Sequence, residues 1–197
     1  SDVYKRQTYD WKRVKLRSNI QYVGTDRLED SRTTVDNYIR KDKSITRSTN
    51  NSRTENNNLV ANAFLEWKMD SVTTLIFRPQ YRFSANDREN KGFQEGWGND
   101  VLLNEKVSSG SNHNSQYNVT MMLQLSRKLS QKGRNVALKV DYGTNSSSND
   151  RKNLSTTHYF KNDREDSKNQ KIEDDIDGYN YRVQLVYVEP LLWMHHL

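Results

Sequence analysis

The residues best suited to move a proton or hold a metal near neutral pH are the four histidines, His113, His158, His195 and His196. His113 and His158 fall in polar stretches expected to be loops. His195 and His196 sit in the last residues of the chain. No metal site is expected of them, and the absence of cysteine removes disulfides, thiolate-bound zinc and thiol catalysis. The run Glu173-Asp174-Asp175-Ile176-Asp177-Gly178 has the opening of a calcium loop, with acids at positions 1, 3 and 5 and glycine at 6. Position 12 would be Gln184, not the bidentate glutamate, and it falls within a strand pattern. A solvated acidic loop is the expectation there, with loose calcium binding as the alternative. Asn118-Val-Thr120 and Asn153-Leu-Ser155 match the glycosylation acceptor pattern, as chance allows in a chain with 22 Asn and 19 Ser. There is no glycine-rich phosphate loop, no dinucleotide fingerprint, no nucleophile elbow and no paired-histidine zinc helix. No catalytic, cofactor-binding or metal residue is assigned, and the chain is expected not to be an enzyme.

The charge balance narrows the classes further. Lys and Arg outnumber Asp and Glu by 31 to 25 over 197 residues, a formal +6. The cations are dispersed among acids and no RNA-binding signature accompanies them, so no nucleic-acid partner is expected. Only 32% of residues are apolar, few for a self-sufficient core, yet 11 Tyr, 5 Phe and 4 Trp argue against disorder. No apolar run approaches the ~20 residues of a membrane-spanning helix. The N-terminus lacks the apolar core of a signal peptide.

The elements that carry these residues alternate with a period of two. Leu59, Ala61, Ala63, Leu65 and Trp67 interleave with mostly polar neighbours. So do Leu75, Phe77, Pro79, Tyr81 and Phe83; Tyr117, Val119, Met121, Leu123 and Leu125; Val136, Leu138, Val140 and Tyr142; and Tyr179, Tyr181, Val183, Leu185 and Tyr187. A weaker strand holds Val14, Leu16, Ile20 and Tyr22. Such alternation means strands with one apolar and one polar face. Short turns are expected at Met69-Asp70-Ser71 and Ser130–Arg134, where Gly133 can take positive φ, and after Pro190. Long polar loops are expected at about 25–55, 86–115 and 144–177. Thr33–Ile39 and Ser155–Phe160 alternate enough to extend the strands. The fold class is therefore all-β, an antiparallel up-and-down meander of about six long strands.

Strands of ~9–11 alternating residues, with short turns on one side and long connections on the other, describe a wall of a transmembrane β-barrel. Its lipid-facing set would include Leu75, Phe77, Tyr81, Val119, Leu123, Val140 and Leu185. Trp67 near a turn, with Tyr81, Phe83, Tyr117 and Tyr142 toward the loops, suits interfacial aromatic belts. A soluble β-sandwich explains alternation equally well. Strand length and one-sided loops favour the barrel, because soluble strands are typically ~5–6 residues. Six strands are too few to close one, so the chain reads as a slice of a larger barrel. The polar face carries Lys15, Arg17, Lys68, Arg78, Arg82, Lys139 and Arg182 against Glu66 and Asp141. As a lumen it would favour anionic solutes. The same charges could instead meet a plug or water, or snorkel at the interface.

Leu65-Glu-Trp-Lys68, Asp70-Ser71 and Ile76-Phe-Arg-Pro-Gln-Tyr81 resemble a hairpin of the large outer-membrane β-barrel proteins of Bacteroidetes, which are related to TonB-dependent receptors. Leu125-Ser-Arg-Lys-Leu129 with Lys132-Gly-Arg134, and Tyr181–Leu191, are similar to later hairpins of those barrels. The resemblance covers about residues 11–191. It implies a longer protein with a signal peptide, a carboxypeptidase-regulatory-like β-sandwich, a plug and about twenty-two strands. It also implies the bacterial outer membrane as location, with membrane lipid, an unknown solute and, through other regions, a plug domain and the TonB complex as partners. A barrel that anchors a surface complex without transport is the alternative role. Ser1-Asp-Val-Tyr-Lys-Arg-Gln7 has no hydrophobic pattern and resembles a translated adapter remnant, so residues 1–10 are expected to be a non-native or disordered leader. Residues 192–197 are left as an unassigned, truncated tail.

Overall fold

The computed structural model describes residues 2–39, 42–129 and 133–190. The tail at 192–197, with His195 and His196, and turn residues 130–132 lie outside them. Seven strands follow one another: β1 (Asp2–Asp10), β2 (Val14–Ile39), β3 (Asp42–Lys68), β4 (Thr73–Gly98), β5 (Val101–Lys128), β6 (Asn135–Tyr159) and β7 (Arg164–Val188). They form one sheet in sequence order, every neighbour antiparallel, and the sheet does not close, because β1 and β7 are its two edges.

The expected meander is present, with two corrections. There are seven strands, because Asp2–Asp10, within the stretch expected to be a non-native or disordered leader, pairs with Lys15–Val23 of β2. The long polar connections are not loops. Strands β2 to β7 run 25 to 28 residues, and their polar arms stay in register to the far end. At ~3.3 Å per residue they extend roughly 80–90 Å. The arms show no apolar alternation because both of their faces are polar, and a pattern needs contrast between faces.

Turns are short at both ends. At one end, Asp70 Oδ1 accepts the N–H groups of Val72 (2.8 Å) and Thr73 (2.6 Å), closing β3 onto β4. Gly133 takes φ +91° as expected between β5 and β6. At the far end, Asn99 (φ 49°) and Asp100 (φ 63°) make a two-residue connection between Gly98 and Val101, with the left-handed pair that type I′ hairpins require. Asp163 (φ 49°) serves the turn into β7.

Among the described residues no hydrophobic side chain is buried. A single sheet has two faces, and the described residues supply no second layer to cover either. The apolar face therefore stands open, from Leu123 at 41% exposure in the middle to Leu185 at 72% on the edge strand.

Candidate functional site: an apolar band and the polar face behind it

Residues paired directly across strands share a face, so the register sorts side chains into rows. One row reads Tyr9–Leu16–Leu65–Phe77–Leu123–Val140–Val183, apolar on all seven strands. The row nearer the short turns reads Val14–Trp67–Leu75–Leu125–Leu138–Leu185. Two rows toward the far end come Ile20–Ala61–Tyr81–Val119, continuing to Thr144 and Tyr179, and then Tyr22–Leu59–Phe83–Tyr117. All seven residues expected to face lipid lie on this face, within these rows. Lys5 and Gln7 of β1 interrupt the band at its edge.

The band is bounded by aromatic side chains. Trp67 and the stacked pair Tyr9–Trp11 (centroids 5.9 Å apart) lie toward the short turns. Tyr22, Phe83 and Tyr117 share the last apolar row. Tyr142, expected near the loops, lies mid-band between Met121 and Tyr181. Beyond Tyr22 the same face turns polar at once, with Gly24–Asn57–Ala85–Ser115–Ser148–Asp175. The next row is acidic: Asp26–Glu55–Asp87–His113–Asp150–Glu173. From Val14 to Tyr22 the band covers nine residues, ~26 Å along a strand, close to the apolar height of a tilted membrane barrel.

Cations partly neutralise the acidic row. Arg53 donates from Nε to Asp26 Oδ1 (3.2 Å) and from Nη2 to Asp26 Oδ2 (2.8 Å), and this bond holds the Asp26 carboxyl below its usual range. Arg53 also pairs with Glu55, and Lys152 Nζ lies 3.6 Å from Asp150. His113 is not in a loop: it sits on β5 with Nδ1 against Asp87 Oδ1. His158 lies on β6, 3.4 Å from Asp163 and edge-on to Phe160.

The run Glu173–Gly178 is likewise strand, not loop. Glu173, Asp175 and Asp177 face one side and Asp174 the other, so the segment cannot wrap an ion. Among the described residues no group of three potential ligands could hold a metal. Asn118 and Asn153 lie in paired strands on the polar face.

The nine charges singled out from the sequence, Lys15 to Arg182, all share the polar face. They are not one cluster. Lys139 pairs with Asp141 (3.2 Å), Arg78 lies over the Phe64 ring (5.0 Å to its centroid), and Arg82 lines a separate concavity with Asn58, Ser84, Gln116 and Asn118. Sequence reading missed the farther part of this face. Asn56, Asn86, Asn114 and Asn149 form a cross-strand ladder, with bonds from Asn86 to Asn56 and from Asn56 Nδ2 to Thr25 Oγ1 (3.2 Å). Arg88 and Arg151 stand one row beyond. Strict alternation of Asn, Arg and Asn at 86, 88 and 90 was the available signal.

No protein-family model and no curated protein matches the chain. Among solved structures it is similar to a chain of the membrane pore complex of pneumolysin, at 9% identity over 95% of this chain and 32% of that one, with TM-score 0.20. It is also similar to the siderophore receptor PiuA from Acinetobacter baumannii, at 8% identity over 93% of this chain and 44% of that one, with TM-score 0.17. The chain thus spans less than half the length of either. At those TM-scores neither likeness bears on function.

Proposed function

We propose that this chain is part of the wall of an outer-membrane β-barrel of receptor or transporter type, related to TonB-dependent receptors and serving the uptake or binding of a solute. The observation that carries the reading is the row from Tyr9 to Val183, apolar on every strand of a sheet with no core. A continuous uncovered apolar face is costly in water and favourable in lipid, while strand pairing satisfies the backbone of β2 to β6 and the remaining wall would pair the edges of β1 and β7. The polar face then lines the hydrated interior, and the polar arms reach beyond the membrane where long polar loops were expected.

Direction adds a constraint on closure. Consecutive strands reverse, so edge strands β1 and β7 run the same way. In an all-antiparallel barrel the remaining wall must hold an odd number of strands, bringing the total to the even count of bacterial barrels. The reading assigns the chain no catalysis and no nucleic-acid partner. A soluble sandwich would need a second sheet on the apolar face.

Refolding tests the proposal. The chain diluted from urea should recover β-sheet circular dichroism and protease resistance with phospholipid vesicles, not in plain buffer. A soluble, monomeric, folded sheet in buffer would overturn it.

A further inference from the structure

The pattern Asn-Asp-Arg-x-Asn occurs on β4 as Asn86-Asp87-Arg88-Glu89-Asn90 and on β6 as Asn149-Asp150-Arg151-Lys152-Asn153. The register sets the two copies at the same height on either side of β5. Its rows are Asn86–Asn114–Asn149, Arg88–Asn112–Arg151 and Asn90–Gly110–Asn153. All nine positions share the polar face, giving a three-by-three grid of six asparagines, two arginines and one glycine.

Gly110 leaves room for what leans over it. A Cβ there would lie 2.6 Å from Asn90 Oδ1 and 2.9 Å from Asn153 Oδ1, so the two carboxamides converge on the glycine from both flanking strands. Five of these residues, Arg88, Asn90, Asn112, Arg151 and Asn153, line an open concavity of about 270 Å³ with Asn50 of β3. The Asn112 carboxamide oxygen is enclosed there and accepts no hydrogen bond.

The charge within the grid is one-sided. Arg53, Arg134 and Arg164 each hold a carboxylate, whereas Arg88 and Arg151 hold none among the described residues. Beyond the band, from Ser44 to Asn58 of β3 and across β4 to β6, the polar face carries Arg88, Arg151 and Lys106 and no carboxylate among the described residues, while on the flanking strand β7 the same face carries Asp174, paired with Asn149. Glu55, Asp87, Glu89, Glu95, Glu105 and Asp150 all turn to the other face. The two arginine backbones stand two interstrand spacings apart, ~10 Å.

A guanidinium presents a fork of donors matched to a carboxylate or phosphate, and a carboxamide both donates to and accepts from hydroxyls. We infer that this grid binds a polyhydroxyl solute carrying an oxyanion, such as a sugar acid or a sugar phosphate. The inference rests on the proposed function only in taking the polar face as the solute side.

The test is calorimetric titration of the full chain with four probes: glucuronate, glucose 6-phosphate, glucose and inorganic phosphate. It is run wherever the chain holds its β-sheet signal, in vesicles or in buffer. Folding in buffer alone would overturn the membrane reading yet leave the binding arms to be read, and folding in neither would overturn both. The two anionic sugars should bind more tightly than glucose or phosphate, with the stronger of the two telling carboxylate from phosphate. Arg88→Gln and Arg151→Gln should each weaken that binding about tenfold or more. Arg88→Lys should fall between, and Lys15→Gln, on the same face but level with the apolar band, should bind as wild type. Equal binding of glucose and glucuronate, or wild-type affinity in the double Arg→Gln variant, would overturn the inference.

Discussion

The Tyr22 hydroxyl donates to Asn57 Oδ1 at 2.6 Å, reaching from the last apolar row into the first polar row on the neighbouring strand. The ring lies level with Leu59 while the oxygen is tied one row higher, so this one bond marks where the apolar band ends. Interfacial tyrosines adopt this posture, with an apolar body and a wet tip.

Tyr22→Phe therefore keeps the ring and loses the bond. It should cost the lipid-folded chain ~1 kcal/mol, and Tyr22→Ala should cost more. Urea unfolding in vesicles, followed by tryptophan fluorescence, reads both. A Phe variant as destabilised as the Ala variant would show that the bond, not the ring, carries the position.

Leu123 sits mid-band between Phe77 and Val140. Leu123→Arg should cost ~2–4 kcal/mol in lipid. Its neighbour Gln124 points to the polar face, so Gln124→Arg should stay within ~0.5 kcal/mol of wild type. The same unfolding assay decides; similar losses at both positions would mean that the facing is wrong.

Asp70 is an exposed turn carboxylate whose pKa is held below its ordinary 3.8, chiefly by the Val72 N–H. A depressed folded pKa adds stability that is fully present above the unfolded value and lost as pH falls through the folded one. The stability gap between wild type and Asp70→Ala should thus be constant near neutral pH and shrink below about pH 3.8. Unfolding midpoints of both chains across that range test it; a gap independent of pH would contradict the carboxylate's role.

Gly110→Ala separates the proposed solute site from the sheet. The new methyl group would displace the ends of two flexible side chains, Asn90 and Asn153, rather than backbone. Alanine also suits a strand slightly better than glycine. The unfolding midpoint should hold or rise while glucuronate binding weakens. Unchanged binding would show that the two carboxamides take no part in it.

The half of the sheet that carries the apolar band was legible because its faces differ. Leu59 to Trp67 and Tyr117 to Leu125 alternate with only Val60, Phe64 and Met122 out of pattern, and antiparallel order follows from short turns such as the one at Asp70. The far half was not legible. Asn, Ser, Asp and Arg occupy both faces there, so Asn86 to Asn90 reads as loop until pairing reveals its alternation. Asp2–Asp10 was missed for the same reason, since only Val3 and Tyr9 extend the apolar rows. The two Asn-Asp-Arg-x-Asn segments lie 63 positions apart, and only the register brings them level across β5. Seven strands instead of six also turned on an edge strand, whose one-sided pairing leaves little pattern.

The most direct test of whether the apolar band faces lipid uses the chain's lack of cysteine, which makes any introduced thiol unique. Single cysteines at positions 117 to 125 of β5, spin-labelled in phospholipid vesicles, report accessibility to oxygen in lipid and to a nickel chelate in water. The account predicts a strict period of two: Val119, Met121, Leu123 and Leu125 positions open to oxygen, Asn118, Thr120, Met122 and Gln124 positions open to nickel. Water accessibility at both sets, with no alternation, would contradict it.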